Sequence, residues 1–218
     1  MRFLDINWRP VFWHYAQGDR GWEAHARERI KSFVRGADVV KLTDEEAEWL
    51  CGIPRMRALD NPGAVRARFP GTKGILVTAG EKGASYDILG HHGFVAPFEV
   101  ASVETTGAGD AFSAGFLAAA LASGLLSAGQ GASINDGSSD TTAAAAAAAA
   151  RARAVATEPA GEAALAAAWP AMGQAVGAAV RLAAAAGALT CCGEGAIPPQ
   201  PSLEQATHLV ERHEKVAS

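Results

Sequence analysis

Between Glu104 and Phe116 the chain reads E-T-T-G-A-G-D-A-F-S-A-G-F. From Gly107 to about Leu126 small and apolar residues then occupy nearly every helical position. A helix that is apolar on all its faces has to lie in a core. A glycine turn therefore runs straight into a buried helix. Gly107 and Gly109 leave backbone N–H groups uncovered and let a ligand come close. Those donors point outward at a helix N-terminus, where the macrodipole also favours negative charge. Gly107, Ala108 and Gly109 can thus hold phosphate oxygens, or the charge that develops on a phosphoryl group in transfer. Asp110 sits in the first turn. Its carboxylate can cap the helix or accept a proton from an attacking hydroxyl, and these residues alone leave both readings open.

The sequence before this turn alternates strand and helix patterns. Phe3–Asn7 reads as a buried strand. Trp22, Ala26, Ile30 and Phe33 recur at helical spacing and predict a helix over Gly21–Arg35. Ala37–Leu42 is a second strand. Thr43–Leu50 is a helix with a capping box and Gly52 at its stop, and Pro62–Phe69 is another, with proline in its first turn. Gly74–Ala79, the turn Gly80–Gly83 and Ala84–Leu89 then form a hairpin. Gly90–Gly93 turns the chain into a strand over Phe94–Phe98. This order predicts an α/β sheet covered by helices.

Composition shifts after the apolar helix. Ser127–Pro170 is rich in Gly and Ser and then almost pure alanine, which predicts a low-complexity insertion, partly disordered or loosely helical. Order is expected to resume near Met172, with a helix over Ala175–Ala188. Ser202 and Gln205 form a capping box for a last helix through about Val210.

Of 218 residues, 19 are Lys or Arg and 23 Asp or Glu, so the net charge is −4 and no nucleic-acid partner is expected. No strongly apolar run of spanning length stands out, so no membrane is expected; Ala143–Ala150 is alanine alone. The 3 cysteines have no zinc-like spacing and form no disulfide framework. They point to a reducing compartment. There is no Walker phosphate loop and no G-x-G-x-x-G after a first strand.

With the glycine turn and its helix in hand, T-T-G-A-G-D-A-F-x-A-G-F closely resembles the C-terminal signature of the PfkB/ribokinase family of carbohydrate kinases. That resemblance implies that Gly107, Ala108 and Gly109 form the anion hole and that Asp110 is the catalytic base. Glu104 stands where the family more often has aspartate. Thr78, Gly80 and Gly83, in V-T-A-G-E-K-G-A, match the family's T-x-G-x-x-G. By that match they would line the ATP site; the residues by themselves read first as a hairpin with two turn glycines. Lys41–Leu50 aligns with the family's N-x-x-E region, which gives Glu46 a role with Mg2+ and phosphate. The capping box of Thr43 with Glu46 accounts for the same residues without a ligand. Asp5–Trp13 resembles the fructokinase-like D-x-N-x-R-x-x-x-W strand end, so Asn7 and Arg9 would face substrate or phosphate, Arg9 alternatively an ion-pair partner. Trp8, Trp13, Trp22 and Trp49 read as core or rim packing. Ala183–Cys192 and Gly195–Pro198 resemble the closing segment beside the adenine, with Ala184 where many members have asparagine. His91 and His92 read as solvated turn residues, and Cys191 and Cys192 as buried small side chains.

The resemblance implies a ribokinase-like α/β fold that lacks its N-terminal strands and β lid. Residues 1–126 would be the C-terminal half of the kinase domain, 127–174 an insertion, 175–212 the closing segment and 213–218 a tail. It further implies ATP and Mg2+ as cofactors, a fructose-like sugar as substrate, and a dimer or partner that supplies the missing half. A soluble intracellular location, cytoplasm or plastid, is expected. The other reading is a non-catalytic descendant that binds nucleotide or acts as a scaffold.

Overall fold

The computed structural model describes residues 1–16, 21–125 and 162–217. They fall into two compact units, Met1–Ala96 and Pro97–Ser218. The first unit is built on five strands: β1 (Phe3–Asp5), β2 (Val39–Thr43), β3 (Gly74–Thr78), β4 (Ala84–Ile88) and β5 (His91–Val95). Their spatial order follows the chain. β1, β2 and β3 run parallel, whereas β3–β4 and β4–β5 are antiparallel.

Four helices belong to this unit: α1 (Trp22–Val34), α2 (Asp44–Cys51), α3 (Arg55–Asp60) and α4 (Pro62–Arg66). Strand residues alternate between faces. Val40 and Leu42 of β2 and Ile75 and Val77 of β3 share one core with Val34, Ala47, Leu50, Leu59 and Val65 from the helices. On the opposite face Val39, Lys41 and Leu76 are buried too. The near-continuous apolar runs of β2 and β3 express this two-sided burial. α3 has no counterpart in the sequence reading, because fewer than two turns after Pro54 give periodicity nothing to repeat.

The β4–β5 turn corrects one expectation. Leu89 and Gly90 have φ of 53° and 84°, and Ile88 pairs with His91. Two consecutive residues at positive φ make the tight turn that suits the twist of a hairpin. The chain therefore reverses two residues earlier than the glycine spacing implies. His91 and His92 lie on β5, His91 half-buried, instead of in a solvated turn. Tyr86 covers Gly93 across the ladder: a Cβ there would lie 2.5 Å from the phenol oxygen.

The second unit holds α5 (Ala108–Ala122), α6 (Glu162–Thr190) and α7 (Leu203–Ala217). α5 and α6 approach closely because their contact is made of small residues. A Cβ on Gly115 would lie 3.1 Å from the Cα of Ala183, and one on Gly187 would lie 3.0 Å from the carbonyl of Ala108. Phe112, Phe116, Val176, Val180 and Ala183 fill this core.

α6 begins at Glu162, well before the expected Ala175, and continues through Pro170. Proline removes one helical hydrogen bond. Alanine's high helix propensity and the burial of Val176, Ala179 and Val180 sustain the helix regardless. The rest of the expected low-complexity segment, residues 127–161, lies outside the described residues. Trp169–Thr190 is long and apolar enough by composition to cross a membrane, a stretch the sequence reading overlooks because its apolarity is mostly alanine. Its buried share, 44%, includes the face turned to α5.

α7 begins as expected, with Gln205 N–H donating to Ser202 Oγ at 3.2 Å and Ser202 N–H donating to Gln205 Oε1 at 2.8 Å. It extends to Ala217, past the expected end near Val210.

Leu42 is fully buried within the first unit's core. Leu42→Ala is expected to destabilise by about 2–5 kcal/mol, read as a lowered denaturation midpoint, while exposed Leu203→Ala leaves the midpoint within about 0.5 kcal/mol.

Candidate active site

Because β1, β2 and β3 are parallel and in register, their C-terminal ends lie side by side. Asp5 pairs with Lys41, and Thr43 with Thr78. Ligands of α/β sheets bind at this end. Lys41 is almost wholly buried, and its ammonium meets Asp5 Oδ2 at 2.8 Å. No motif in the sequence marks this pair; its signal is a charged residue inside each of two apolar strands.

Glu46 ties three segments of this rim together. Its Oε2 accepts the N–H of Thr43 at 2.8 Å, while Glu46 N–H donates to Thr43 Oγ1 at 3.1 Å, completing the expected capping box. Its Oε1 accepts the N–H of Trp8 at 2.6 Å, fastening the exit of β1 to the start of α2. Asn7, just before, has φ 44° and is exposed. Arg9 is also exposed and donates to the carbonyl of Trp8 at 3.1 Å. Trp8 stacks on Trp49 with ring centroids 4.2 Å apart, with Trp13 and Trp22 at 5.7 and 6.2 Å. All four indoles are half-buried, in keeping with rim packing.

The two glycines after Thr78 differ. Gly80 has φ 54°, is exposed, and has no atom within 4 Å of where a Cβ would stand. A ligand can rest on its backbone. Gly83 has φ 96°, and a Cβ there would come within 2.4 Å of the Val95 carbonyl and 2.9 Å of the Phe94 ring. Packing of β5 on this turn is sufficient reason for glycine at 83.

In the second unit Gly107, at φ 83°, occupies the N-cap of α5. A Cβ on it would lie 2.8 Å from the carbonyl of Ala196, so the 195–196 loop closes directly over the turn. Ala108 N–H donates to the Thr105 carbonyl at 3.2 Å, and Ala111 N–H to the Gly107 carbonyl at 2.9 Å. Gly109, next along, is exposed, as is Asp110, the third residue of α5. The Asp110 carboxylate makes no hydrogen bond or ion pair among the described residues.

Two further contacts hold the approach to the turn. The carbonyl of Cys191 accepts the N–H groups of Val103 and Glu104 at 2.7 and 3.2 Å. Glu104 Oε2 accepts the N–H of Gly195 at 2.8 Å. A hydrogen bond from the Thr106 side chain, then the one from Gly195, holds the Glu104 carboxyl below its ordinary range. Cys191 is half-buried and Cys192 exposed, not buried as expected. Asn7, Arg9, Glu46, Thr78, Gly80 and Gly83 thus belong to the first unit, and Gly107, Ala108, Gly109 and Asp110 to the second.

Mg2+ has no ready-made cage here. Both oxygens of Glu46 are already turned to backbone N–H groups, and no cluster of three or more His, Cys, Asp or Glu side chains occurs among the described residues. Glu46 acts here as a rim anchor, each of its carboxylate oxygens accepting a backbone N–H.

Residues 15–162 match the pfkB family carbohydrate kinase profile. The chain belongs to the pfkB family of carbohydrate kinases. It is 40% identical over 108 residues to fructokinase-2 of Solanum lycopersicum, covering 50% of this chain and 30% of that protein. It is 42% identical over 87 residues to putative fructokinase-8 of Arabidopsis thaliana, covering 40% of each. Among solved structures, the fructokinase of Xylella fastidiosa with bound ATP superposes with a TM-score of 0.61 at 22% identity, over 97% of this chain and 52% of that one. The fructokinase of Vibrio cholerae, bound to fructose, ADP and calcium, also gives 0.61 at 21% identity, over 95% of this chain and 50% of that one. This pfkB-family chain therefore spans about half the length of the solved structures it resembles.

Two outcomes test these contacts. Glu46→Ala orphans the N–H groups of Trp8 and Thr43 and is expected to cost about 2–4 kcal/mol of stability in urea titrations, with Glu46→Gln costing less because it keeps an acceptor. The lowered pKa of Glu104 makes its contribution to stability present above the ordinary glutamate pKa of 4.5 and lost as pH falls through the folded value. Wild type is therefore expected to lose more stability than Glu104→Gln when urea midpoints are followed from pH 7 down to pH 3.

Proposed function

We propose that this chain carries the nucleotide-binding and catalytic half of an ATP-dependent sugar kinase whose acceptor is a fructose-like sugar. The observation that carries the reading is Asp110: an exposed carboxylate with no described partner, directly after a left-handed glycine turn at the head of α5, a helix buried along one face by Ala111, Phe112, Phe116 and Ala120 and not on all faces as its apolar composition implies. A carboxylate that merely capped this helix would bond its backbone, and this one does not.

In the reaction, Asp110 accepts the proton of a sugar hydroxyl as its oxygen attacks the γ-phosphorus of ATP. The new O–P bond forms while the bond from the γ-phosphorus to the bridging oxygen of ADP breaks. The N-terminus of α5 and the Gly107–Gly109 turn supply positive potential for the charge on the transferring group. Thr78 and the open backbone at Gly80 line the nucleotide, Gly83 shapes their turn, and Asn7 and Arg9 reach toward sugar or phosphate. Mg2+, when bound with the nucleotide, would screen its phosphate charge; Glu46 acts by keeping the strand ends in place. Residues 1–126 and the closing helices form the kinase part, with the alanine-rich stretch an insertion between them. The remaining sugar contacts come from a further segment or a partner subunit. The fructokinase relatives, one with bound ATP and one with fructose and ADP, support this choice of substrates.

Titration calorimetry with ATP and Mg2+ tests the nucleotide half. Saturable binding is expected for wild type and Asp110→Ala and is expected to vanish in Gly80→Val, because valine is strained at positive φ and fills the open space. In a coupled assay of ADP release with fructose, Asp110→Ala is expected to lower turnover by about 10²–10⁴-fold. Absence of binding by a folded chain overturns the nucleotide assignment. Binding without turnover favours the non-catalytic reading.

A further inference from the structure

The first unit holds a second concavity, away from the strand ends just described. Its walls come from the last turn of α1 (Lys31), the residue after it (Arg35), the last turn of α2 (Leu50, Cys51) and the 68–72 segment (Arg68, Phe69). Its volume is about 470 Å³, within the range of small-molecule sites. Arg35 leads into β2, and the 68–72 segment leads into β3. The cleft therefore lies at the N-terminal ends of these strands. Asn7, Glu46, Thr78 and Gly80 lie at or just beyond the C-terminal ends of the parallel strands, a five-residue strand away, roughly 13–17 Å along the sheet.

Three cations line this one cleft, and no carboxylate does. This happens in a chain whose net charge is −4, so the local sign opposes the global one. Neither Arg35 nor Arg68 forms an ion pair with a carboxylate among the described residues. Lys31 is paired at 2.9 Å with Glu28, which is exposed and is not part of the lining. The floor is apolar: Leu50 and Phe69 are 2% and 6% exposed. Burial pushes the Cys51 thiol up to about 11, while the charges of Arg68 and Lys31 pull the other way, so both cations are felt at the floor.

Two of these cations have a simpler use. Lys31 and Arg35 stand at the C-terminal end of α1, where positive charge complements the helix dipole. That account does not explain Arg68, which comes from a different segment and faces the same cleft. Gathering like charges over a low-dielectric floor costs Coulomb energy, which an anion would relieve. A guanidinium fork also matches the oxygens of phosphate two at a time.

We propose that this cleft is a binding site for a small oxyanion of the phosphate-ester class, carrying at least two negative charges, held by Arg35, Arg68 and Lys31 with its carbon skeleton over Leu50 and Phe69. The site is independent of the nucleotide assignment and does not require it to be correct.

The test uses the full chain with inorganic pyrophosphate as probe, in about 150 mM salt so that diffuse attraction is screened. Calorimetry is expected to show saturable binding with a Kd below about 1 mM. The Arg35→Ala/Arg68→Ala pair is expected to weaken it by at least tenfold, about 1.4 kcal/mol, while leaving the circular dichroism spectrum and the response to ATP as in wild type. In iodoacetamide labelling resolved by peptide mass, pyrophosphate is expected to slow modification of Cys51 and to leave Cys192 unchanged. No binding by a folded wild-type chain overturns the proposal and leaves the cations as complements of α1. Binding that the double variant does not weaken also overturns it, since the probe then sits elsewhere, as does a Cys51 rate that pyrophosphate does not change.

Discussion

A single carboxylate holds the end of the sheet where the nucleotide is proposed to bind. Glu46 accepts N–H groups from Thr43 and Trp8, one from its own helix cap and one from 38 residues earlier in the chain. Parallel strands bring their C-terminal ends together, but nothing in strand pairing alone fixes the loops that leave them. Here the fixing is done by charge-assisted hydrogen bonds to backbone donors, stronger than neutral ones and largely shielded from water at Glu46. The Lys41–Asp5 pair lies beside it on paired strand positions, so charged groups hold the rim of three parallel strands that are otherwise mostly apolar.

The second unit reaches the same kind of precision with almost no large side chains. Gly115 and Gly187 let α5 and α6 approach until backbone meets backbone, and Gly187 does so against Ala108 at the very start of α5. The turn before that helix is then gripped from the other direction by Cys191, Gly195 and Ala196. A turn held this firmly fixes the helix dipole and the backbone from which Asp110 projects. The glutamate at 104 contributes through its reach: it spans the gap to the Gly195 amide, and its negative charge is kept by the donors it meets.

Charge in this molecule is distributed with a purpose at both ends of the sheet. The C-terminal rim carries the paired Lys41 and Asp5 and a glutamate that positions backbone, while the N-terminal end carries three cations around one cleft, of which Lys31 alone has an ion-pair partner among the described residues. Membership of the pfkB family bears on the first of these ends. The second stands on its own geometry.

Much of this was legible in the residues themselves. The run of apolar residues in Val39–Thr43 and Gly74–Thr78, the capping boxes at Thr43 and Ser202, and the glycine turn before an all-apolar helix are local signals. Each depends on neighbours within a few positions, so the chain's order of residues determines them. The signature around Gly107–Asp110 likewise marks the family through neighbouring residues alone. Other features had no local signal. The two-residue turn at Leu89–Gly90 depends on the register of β5 against β4, and the course of α6 through Pro170 depends on burial against α5. That Gly80 faces open space while Gly83 is packed under Phe94 could not be read from a pattern in which both are simply turn glycines. Only the tertiary structure decided these, and it alone gathered Lys31, Arg35 and Arg68 around one cleft, because contacts between residues far apart in sequence are made by packing and leave no periodicity behind.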